Sequence, residues 1–405
     1  MDTARILGPI VAVASMLLIG LVAAAAGSQP VEVTGWLLVP DRRPFDAKLV
    51  ERLRVPAGFR VGVFADDLGN ARMMAVASDG SVYLTRPEQN DVLLLRDRDG
   101  DGHADEARTV ASQLEMVHGI ALRNKTVYLA DIKRVYAAEV QPDGGLAAPR
   151  TIVDELPDGG QHPRRTIGFG PDGRLYVSIG STCNACREPN EEHAAMLRFN
   201  GDGSGRGIFA RGLRNTIGFA WHPQSGELWG LDHGSDWRGN DVPAEELNRI
   251  TQGADYGWPY CHGDRQPDEL LSLDPPGTTK QAYCKTTEPP VLTYGAHSAP
   301  IALAFYASGP FPPEYAGDAF VAMRGSWNRN PATGFEVARI DFEGERPVRI
   351  VPFLTGFLID GGKATFGRPA GVAVTRDGAL LVSDDANGVV YRVAYTGPPA
   401  AAAGR

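Results

Sequence analysis

One pattern of apolar and small residues recurs along the chain. An apolar residue, an alanine or glycine, and a second apolar residue are followed by a turn and then by a run of apolar or aromatic residues. The turn usually holds glycine, as in Pro171-Asp172-Gly173, whereas Asn124-Lys125 makes it without one. Alternation on both sides of such a turn predicts an antiparallel hairpin. The six copies begin at Met74-Ala75-Val76, Ile120-Ala121-Leu122, Ile167-Gly168-Phe169, Ile217-Gly218-Phe219, Ile301-Ala302-Leu303 and Ala370-Gly371-Val372.

The regular spacing of these copies predicts the architecture. Copies at intervals of about 45 to 85 residues indicate an all-β chain built as a six-bladed β-propeller with an axial funnel. The small residue is expected on the innermost strand of each blade, where side chains crowd. Phe59–Ala65 and Val389–Tyr395 are expected to pair and close the ring. The alternative is a β-sandwich in which the similarity between copies is accidental.

The repeats assign residues 55–396 to the propeller, between an irregular extension at 28–54 and a disordered tail at 397–405. Upstream, Arg5 precedes an apolar run over residues 6–26 that ends in alanines, glycine and serine. Residues 1–27 therefore predict a cleaved secretory signal or, since the run has a length of about 20 residues, an uncleaved membrane anchor. Both alternatives put the folded part outside the cytoplasm, periplasmic or secreted.

Composition narrows the class of partner. A formal net charge of −9 leaves no basic face for phosphates, which argues against a nucleic-acid ligand. The 48 glycines and 30 prolines favour a turn-rich all-β chain over a helical one.

The four cysteines suit an oxidising compartment. Cys261 and Cys284 flank a proline-rich excursion and are expected to form a disulfide. Cys183 and Cys186 form a lone Cys-x-x-Cys, for which a redox dithiol, half of a zinc site and a local loop disulfide are the alternatives.

Alignment of the copies reveals candidate binding residues. The residues three positions before the small residue are Arg72, His118, Arg165, Asn215, Ala299 and Arg368, so five of the six are polar or cationic. Equivalent positions in a propeller lie at one radius, which predicts that these groups converge on the funnel; the alternative is a solvated rim. Nearby upstream positions add His162, Arg164, Arg214 and His297. Several cations with an imidazole suit an anionic, multi-carboxylate ligand beside a proton-transfer step.

Two loops carry oxygen ligands for a hard cation. The first places Asp97, Asp99, Asp101 and Asp105 at positions 1, 3, 5 and 9, with glycine at position 6, which is the spacing of a calcium loop. Position 12 is Arg108 rather than glutamate and no helices flank the loop, so a plain acidic turn is the alternative. The second is the oxygen-rich segment 232–241, which follows the fourth copy.

Five blocks of sequence carry a family resemblance. They are residues 162–173, 212–215, 255–259, 324–329 and 367–371, which read HPRRTIGFGPDG, GLRN, DYGWP, RGSWNR and GRPAG. Together they resemble the soluble quinoprotein (PQQ-dependent) sugar dehydrogenases, and within that family the L-sorbosone dehydrogenase and glucose dehydrogenase-like branch.

The resemblance implies a propeller that binds pyrroloquinoline quinone (PQQ) and calcium. By motif, His162 matches the general base that removes the substrate hydroxyl proton, and Arg214 a catalytic and cofactor-binding group that polarises the quinone carbonyl together with calcium. Gly234 and Ser235 match the loop whose backbone carbonyls hold the cofactor calcium. The remaining residues expected to bind the cofactor are Asn215, Arg324, Arg368, His118, Arg165 and His297.

The resemblance also bears on the substrate. It implies oxidation of an aldose, a sugar aldehyde such as L-sorbosone, or a related substrate, with electrons passed to an external acceptor. Gln161 stands where glucose-oxidising members carry an acidic residue beside the base, and Arg324 replaces a lysine or histidine. No Gly-x-Gly-x-x-Gly follows a strand to indicate a nicotinamide site. Two other classes are a metal-dependent lactonase-type propeller hydrolase and a non-catalytic propeller that binds an anion.

Overall fold

The computed structural model describes residues 35–158 and 160–397, and the predicted signal or anchor and nearly all of the predicted tail lie outside this part. Within it the chain is all-β, as predicted, with one five-residue α-helix and three 3-10 helices. Six four-stranded antiparallel sheets account for most of the strands. No helix in these residues is long and apolar enough to span a membrane.

Sheets 1 to 3 are each made of four consecutive strands. Sheet 1 consists of Met74–Val76, Val82–Arg86, Asp91–Arg96 and Glu106–Ala111. Sheet 2 consists of Gly119–Arg123, Thr126–Ala130, Val135–Glu139 and Arg150–Val153. Sheet 3 consists of Thr166–Phe169, Leu175–Ile179, Ala195–Phe199 and Gly207–Arg211.

Sheets 4 to 6 each differ from this plan. Sheet 4 has a long excursion before its last strand, sheet 5 ends in two long strands, and sheet 6 combines strands from both ends of the described chain. Sheet 4 consists of Gly218–Trp221, Leu228–Asp232, Glu245–Arg249 and Leu292–Tyr294, and sheet 5 of Pro300–Phe305, Ala319–Met323, Glu336–Glu343 and Arg346–Leu354. Sheet 6 consists of Pro369–Val374, Leu380–Asp384, Val389–Tyr395 and, at its edge, Phe59–Ala65. The pairing of Phe59 with Tyr395 confirms the predicted closing contact.

Shorter elements decorate the sheets. Asp41–Arg42, Ala364–Thr365 and Leu358–Ile359 form a small sheet, and Cys261–His262 pairs with Gln266–Pro267. The 3-10 helices are Ala47–Arg52, Pro313–Tyr315 and Asp360–Gly362, and the α-helix is Lys280–Cys284. The 3-10 helix Ala47–Arg52 is capped at its N-terminus by Asp46, whose side chain accepts a hydrogen bond from the amide of Lys48.

Each copy of the sequence pattern forms the first two strands of one sheet. The small residue in the first strand allows close packing of neighbouring sheets. A Cβ on Gly371 would lie 2.1 Å from the carbonyl oxygen of Arg72, just before sheet 1, and a Cβ on Gly218 would lie 3.0 Å from the backbone of Ala302 in sheet 5. The first strands are therefore crowded, as the pattern predicts.

Apolar side chains fill the spaces between the sheets. The largest cluster joins sheets 5 and 6 and includes the ring of Phe59, which lies 4.7 Å from that of Phe311 and 5.2 Å from those of Tyr315 and Phe353. Edge-to-face aromatic contacts of this kind stabilise a core beyond the burial of area. The strand Phe59–Ala65 therefore closes sheet 6 by packing as well as by hydrogen bonding.

All four cysteines form disulfides, Cys183 with Cys186 and Cys261 with Cys284. The pairing expected for Cys261 is confirmed. Of the three interpretations of the Cys-x-x-Cys segment, the local loop disulfide is the one found.

Candidate active site

Successive sheets are joined by hydrogen bonds between the end of the second strand of one sheet and the start of the first strand of the next. Each bond ends on a backbone carbonyl in one of these two segments, and the last bond joins sheet 6 to sheet 1. The donor and acceptor residues are Thr85 and His118, Arg165 and Ile132, Ser181 and Arg214, His233 and Pro300, Arg368 and Arg324, and Ser383 and Arg72. Most of the predicted polar residues lie along this cycle of contacts.

His162 lies just before sheet 3 with its ring held from one side. Its Nδ1 is 3.0 Å from the carbonyl oxygen of Ser181 and 2.9 Å from the Ser181 hydroxyl, which itself donates to the carbonyl of Cys183. Both Ser181 oxygens therefore act as acceptors, so Nδ1 carries the proton and Nε2 presents a lone pair. Within the described residues Nε2 has no hydrogen-bond partner.

The imidazole of His162 is neutral. Burial, followed by the charges of Arg214 and His233, lowers its pKa from 6.5 to about 3. A neutral ring with a free lone pair on Nε2 can accept a proton at any pH near neutrality.

Arg214 is buried and clamped. Its Nε donates to the carbonyl of Asn184 at 2.9 Å, and its Nη2 donates to the side-chain oxygen of Asn184 and to the carboxylate of Asp236, both at 3.0 Å. In the described part of the chain Nη1 makes no hydrogen bond. One nitrogen of a fixed cation is thus left for a ligand.

Asn215 lies beside His162 because Gly180 leaves room for both. A Cβ on Gly180 would lie 2.4 Å from Cβ of His162 and 2.9 Å from Oδ1 of Asn215. The Asp232 carboxylate accepts hydrogen bonds from the amides of Arg214 and Asn215, both at 2.9 Å. Burial raises the pKa of Asp232 to about 6. Asp232 thereby orients the two residues that carry the site's polar groups.

A second cationic group surrounds Asp385. Its carboxylate bonds to the buried Arg72, and lies 2.7 Å from Nε of Arg324. Burial alone would raise the pKa of Asp385, but Arg72 and Arg324 outweigh it and hold the pKa at about 2. Burial, and then Arg324, also lowers the pKa of Arg164. One carboxylate thus serves several arginines, which leaves the group cationic.

Three other predicted ligands have different surroundings. Both ring nitrogens of His118 are buried and lack hydrogen-bond partners in the described structure, and burial, then Arg72 and Arg164, lowers its pKa well below 6.5. The guanidinium of Arg165 donates to backbone carbonyls, including that of His162 at 2.9 Å. His297 contacts the carbonyl of Gly239 at 2.8 Å, beside the 232–241 loop.

Arg368 lies at the start of sheet 6. Its Nη2 donates to the carbonyl of Gly325 at 2.8 Å, and its amide donates to Asp384 at 2.8 Å. Burial, followed by the charge of Arg324, lowers its pKa to about 10. It therefore belongs to the cationic group around Asp385.

The loop at Gly234 and Ser235 borders a cavity of about 20 Å³ that is also lined by Asp232, Glu246 and Asp268. This volume is enough for one water molecule or one cation. Burial, and then the charge of Asp232, raises the pKa of Glu246 to about 8. A bound cation would stabilise the ionised carboxylate there. Among the described residues the three carboxylates do not converge as one cluster, so backbone carbonyls of the Gly234 and Ser235 loop would have to complete a metal site.

The first acidic loop is exposed. The carboxylates of Asp97, Asp99 and Asp105 offer oxygens within 4.8 Å of one another, and Asp101 is not part of this group. Asp101 instead accepts a hydrogen bond from the amide of His103 at 2.8 Å. Three of the four predicted ligands are therefore brought together.

Sequence reasoning missed Asn184 and Asp385, and it gave Asp232 and Asp236 only as part of the oxygen-rich segment 232–241. Asp385 follows the second strand of the last copy, and Asp232 ends the second strand of the fourth. An alignment of second-strand ends could have revealed both carboxylates, since in a hairpin that end lies beside the start of the first strand. No comparable signal marks Asn184, which lies within the disulfide loop.

The match to a known family agrees with this geometry. The model of the family described as TrAA12-like covers residues 53–396, so the chain belongs to the TrAA12-like family. This confirms the resemblance to soluble PQQ-dependent sugar dehydrogenases drawn from the motifs, and the expectation that the protein is an enzyme.

Individual relatives extend the comparison. An uncharacterized protein of Borreliella burgdorferi is 29% identical over 364 residues, covering 86% of this chain and 92% of that protein. A pyrroloquinoline quinone-dependent sugar dehydrogenase of Hypocrea jecorina is 24% identical over 248 residues, covering 50% of this chain and 57% of that protein. The calcium structure of the Trichoderma reesei Carbohydrate-Active Enzymes Family AA12 protein has a TM-score of 0.73 at 20% identity, covering 85% of this chain and 97% of that chain, and supports the fold.

Proposed function

We propose that this protein is a PQQ- and calcium-dependent dehydrogenase that oxidises an aldose, a sugar aldehyde such as L-sorbosone, or a related substrate. The single observation that carries the proposal is the juxtaposition of a neutral His162 with the clamped cation of Arg214, in a chain of this family. The six sheets are taken as the blades of a six-bladed propeller around an axial funnel. The cycle of hydrogen bonds between successive sheets supports this arrangement.

The residues of the site suit an anionic cofactor. Burial and mutual repulsion lower the pKa values of Arg72 to about 9 and of Arg368 to about 10, although Asp385 partly offsets the effect at Arg72. An anionic ligand would relieve that repulsion, and the unpartnered nitrogens of buried His118 offer it a polar contact. The proposed cofactor ligands are Arg214, Asn215, Arg324, Arg368, His118, Arg165 and His297.

Calcium is assigned to the loop at Gly234 and Ser235. The cavity bordered by this loop carries the carboxylates of Asp232, Glu246 and Asp268, and hard cations prefer such oxygen ligands. A second, structural calcium is assigned to Asp97, Asp99, Asp101 and Asp105.

The reaction relies on His162 as general base. Its Nε2 accepts the proton of the substrate hydroxyl while the hydrogen on carbon leaves as hydride. Ser181 holds Nδ1–H, so the ring cannot present the wrong nitrogen. Arg214 contributes positive charge beside the reacting groups. The bound quinone supplies the two-electron acceptor for that hydride.

The mouth of the site suits a sugar. Trp237 directly follows Asp236, the partner of Arg214, and its exposed ring lies 5.3 Å from that of exposed Trp327. Trp237 also has a φ of 63°, a strained conformation for a bulky residue. Aromatic faces stack against the apolar faces of sugar rings, so this pair is assigned to substrate binding. Gln161 is exposed beside His162, so a neutral amide takes the position of the acidic residue found in the glucose-oxidising members.

The remaining proposals concern location and electron transfer. A periplasmic or secreted protein accords with the two disulfides, since such bonds persist in oxidising compartments. An external electron acceptor is required because PQQ, once reduced, must be reoxidised before another turnover.

One experiment tests the proposed function. The purified protein is loaded with PQQ and calcium, and reduction of an electron-accepting dye is followed with a panel of aldoses and aldehydes that includes L-sorbosone. Substrate-dependent dye reduction that needs both additions is expected. Failure to bind PQQ would overturn the proposal, and binding without turnover of any sugar would overturn the substrate class.

A further inference from the structure

Asn184, inside the Cys183–Cys186 loop, forms an unusual number of contacts with the site. Its backbone carbonyl accepts from Nε of Arg214 at 2.9 Å, from the hydroxyl of Ser235 at 3.3 Å and from the indole of Trp258 at 3.3 Å. Its side-chain oxygen accepts from Nη2 of Arg214 at 3.0 Å and from the amide of Asp236 at 2.7 Å. Its side-chain nitrogen donates to the carbonyl of Asp236 at 2.9 Å.

These hydrogen bonds tie three distant segments together. They connect the arginine before sheet 4, the loop that borders the cation-sized cavity, and the segment around Trp258. The buried guanidinium cannot shed these partners without leaving its donors unsatisfied. Asn184 therefore sets where Nη1 of Arg214 points.

The same loop reaches the base. The hydroxyl of Ser181 bonds to both the carbonyl of Cys183, at 2.7 Å, and Nδ1 of His162, at 2.9 Å. The disulfide spans Asn184 and restrains its backbone, and half of the hydrogen bonds made by Asn184 involve that backbone carbonyl. A backbone acceptor serving three donors needs a fixed orientation, which a short covalent loop provides.

We propose that Asn184 is a positioning residue that holds Arg214 and the Ser235–Asp236 loop in their binding geometry, and that the Cys183–Cys186 disulfide keeps it in place. The proposal rests on the proposed function for its consequence, tighter PQQ binding, but its structural claim stands on the contacts alone. Asn184 is not proposed to contact the substrate or the cofactor, and it acts through Arg214.

The first test measures binding of PQQ to the calcium-loaded protein by fluorescence titration. Asn184→Ala should weaken binding by roughly 10- to 100-fold, the usual effect of losing a residue that orients a direct ligand. Asn184→Asp keeps an acceptor for Nη2 of Arg214 and for the amide of Asp236 and should recover part of the affinity. Asn190→Ala is the matched control, since Asn190 is exposed in the same connection between the second and third strands of sheet 3, outside the disulfide loop, and accepts a hydrogen bond from the amide of Glu192.

The second test is a double-mutant cycle. The double variant Cys183→Ser with Cys186→Ser should bind PQQ more weakly. Adding Asn184→Ala to it should then reduce PQQ affinity much less than Asn184→Ala does in the wild type, because the disulfide and Asn184 act on the same position of Arg214. Fully additive losses would refute the link between disulfide and asparagine. Unchanged affinity in Asn184→Ala would refute the positioning role.

A third measurement is independent of PQQ. Hydrogen exchange at Nε–H of Arg214, followed by ¹H–¹⁵N NMR in the cofactor-free protein, should be slow in the wild type and in Asn190→Ala and faster in Asn184→Ala. If the wild type fails to bind PQQ, this exchange still decides the positioning proposal, and equal rates in all three proteins would overturn it. If the disulfide variant does not fold, the single-site variants decide the role of Asn184, and exchange at Arg214 after mild reduction of the wild type decides the role of the disulfide.

Discussion

The carbonyl oxygen of Ser181 lies 3.0 Å from Nδ1 of His162. Because a carbonyl can only accept, the imidazole proton lies on Nδ1 and the lone pair on Nε2. The hydroxyl of the same serine donates to Cys183, so it cannot reverse this assignment. One residue thus selects the tautomer that a general base requires.

Replacement of His162 should separate chemistry from binding. His162→Gln removes the base, and we expect kcat to fall by about 10²- to 10⁴-fold while the Kd for PQQ changes little. Steady-state kinetics and a PQQ titration on the same preparation check this. Retention of the wild-type rate would show that the proton goes elsewhere.

The His162 ring should resist protonation in the cofactor-free protein. Burial and neighbouring cations lower its pKa from 6.5 to about 3, so ¹⁵N NMR should show the neutral Nδ1–H tautomer down to pH 5. Since the unfolded chain takes up this proton near pH 6.5, the stability contributed by the neutral ring is lost as pH falls from 6.5 towards 3. Titration near 6.5 would contradict the burial argument.

Asp385 should matter for stability. Asp385→Asn removes the charge that neutralises the buried Arg72, and breaking a buried pair in this way costs about 3–5 kcal/mol. Urea unfolding measures the loss. Asp241→Asn is the control and should change stability little, because Asp241 is itself exposed although its partner Arg329 is partly buried. Similar unfolding midpoints for the two variants would argue against a structural role for Asp385.

Calcium binding should release protons. Burial, followed by the charge of Asp232, raises the pKa of Glu246 to about 8, so near pH 6 the carboxyl is protonated and must ionise when a cation enters the cavity. Affinity should therefore rise by up to about tenfold per pH unit between pH 6 and 8, above the pKa of about 6 of Asp232, which lines the same cavity. Calorimetry in buffers of different ionisation enthalpy detects the released proton. Glu246→Gln should remove this pH dependence. If the pH dependence persisted in this variant, calcium would have to bind at a different place.

Trp237 should affect sugar binding rather than chemistry. Trp237→Ala should raise KM for sugars by about three- to tenfold with little change in kcat, since the loss is one of stacking contact. Val242→Ala, an exposed apolar truncation nearby in sequence, serves as the control. An equal effect of both variants would count against a specific aromatic contact.

Much of the fold follows from local pattern. Alternation with a period of two is imposed by the strand backbone itself, so hairpins at the six copies could be predicted without any long-range information. The strands that begin at Phe59 and Val389 belong to none of the six copies, and their pairing was predicted for that reason. The offset that aligned Asn215 and Arg368 found residues whose amides both donate to a carboxylate at the end of the second strand.

The partners of these residues depend on chain folding. Arg72 and Asp385 are 313 positions apart, and nothing local to either indicates that they pair. Arg165 has the same offset as Arg72, yet its guanidinium hydrogen bonds go to backbone carbonyls and not to a carboxylate.

The recurring strands, the turn chemistry, the candidate base and the family could be predicted from the sequence, because each depends on the order of neighbouring residues. Tertiary structure alone decided that Asn184 accepts hydrogen bonds from Arg214, that Ser181 selects the tautomer of His162, and that Asp385 pairs with more than one arginine. Such contacts form only when separate sheets meet. The free energy of a buried charge depends on the groups that then surround it, whatever their distance along the chain.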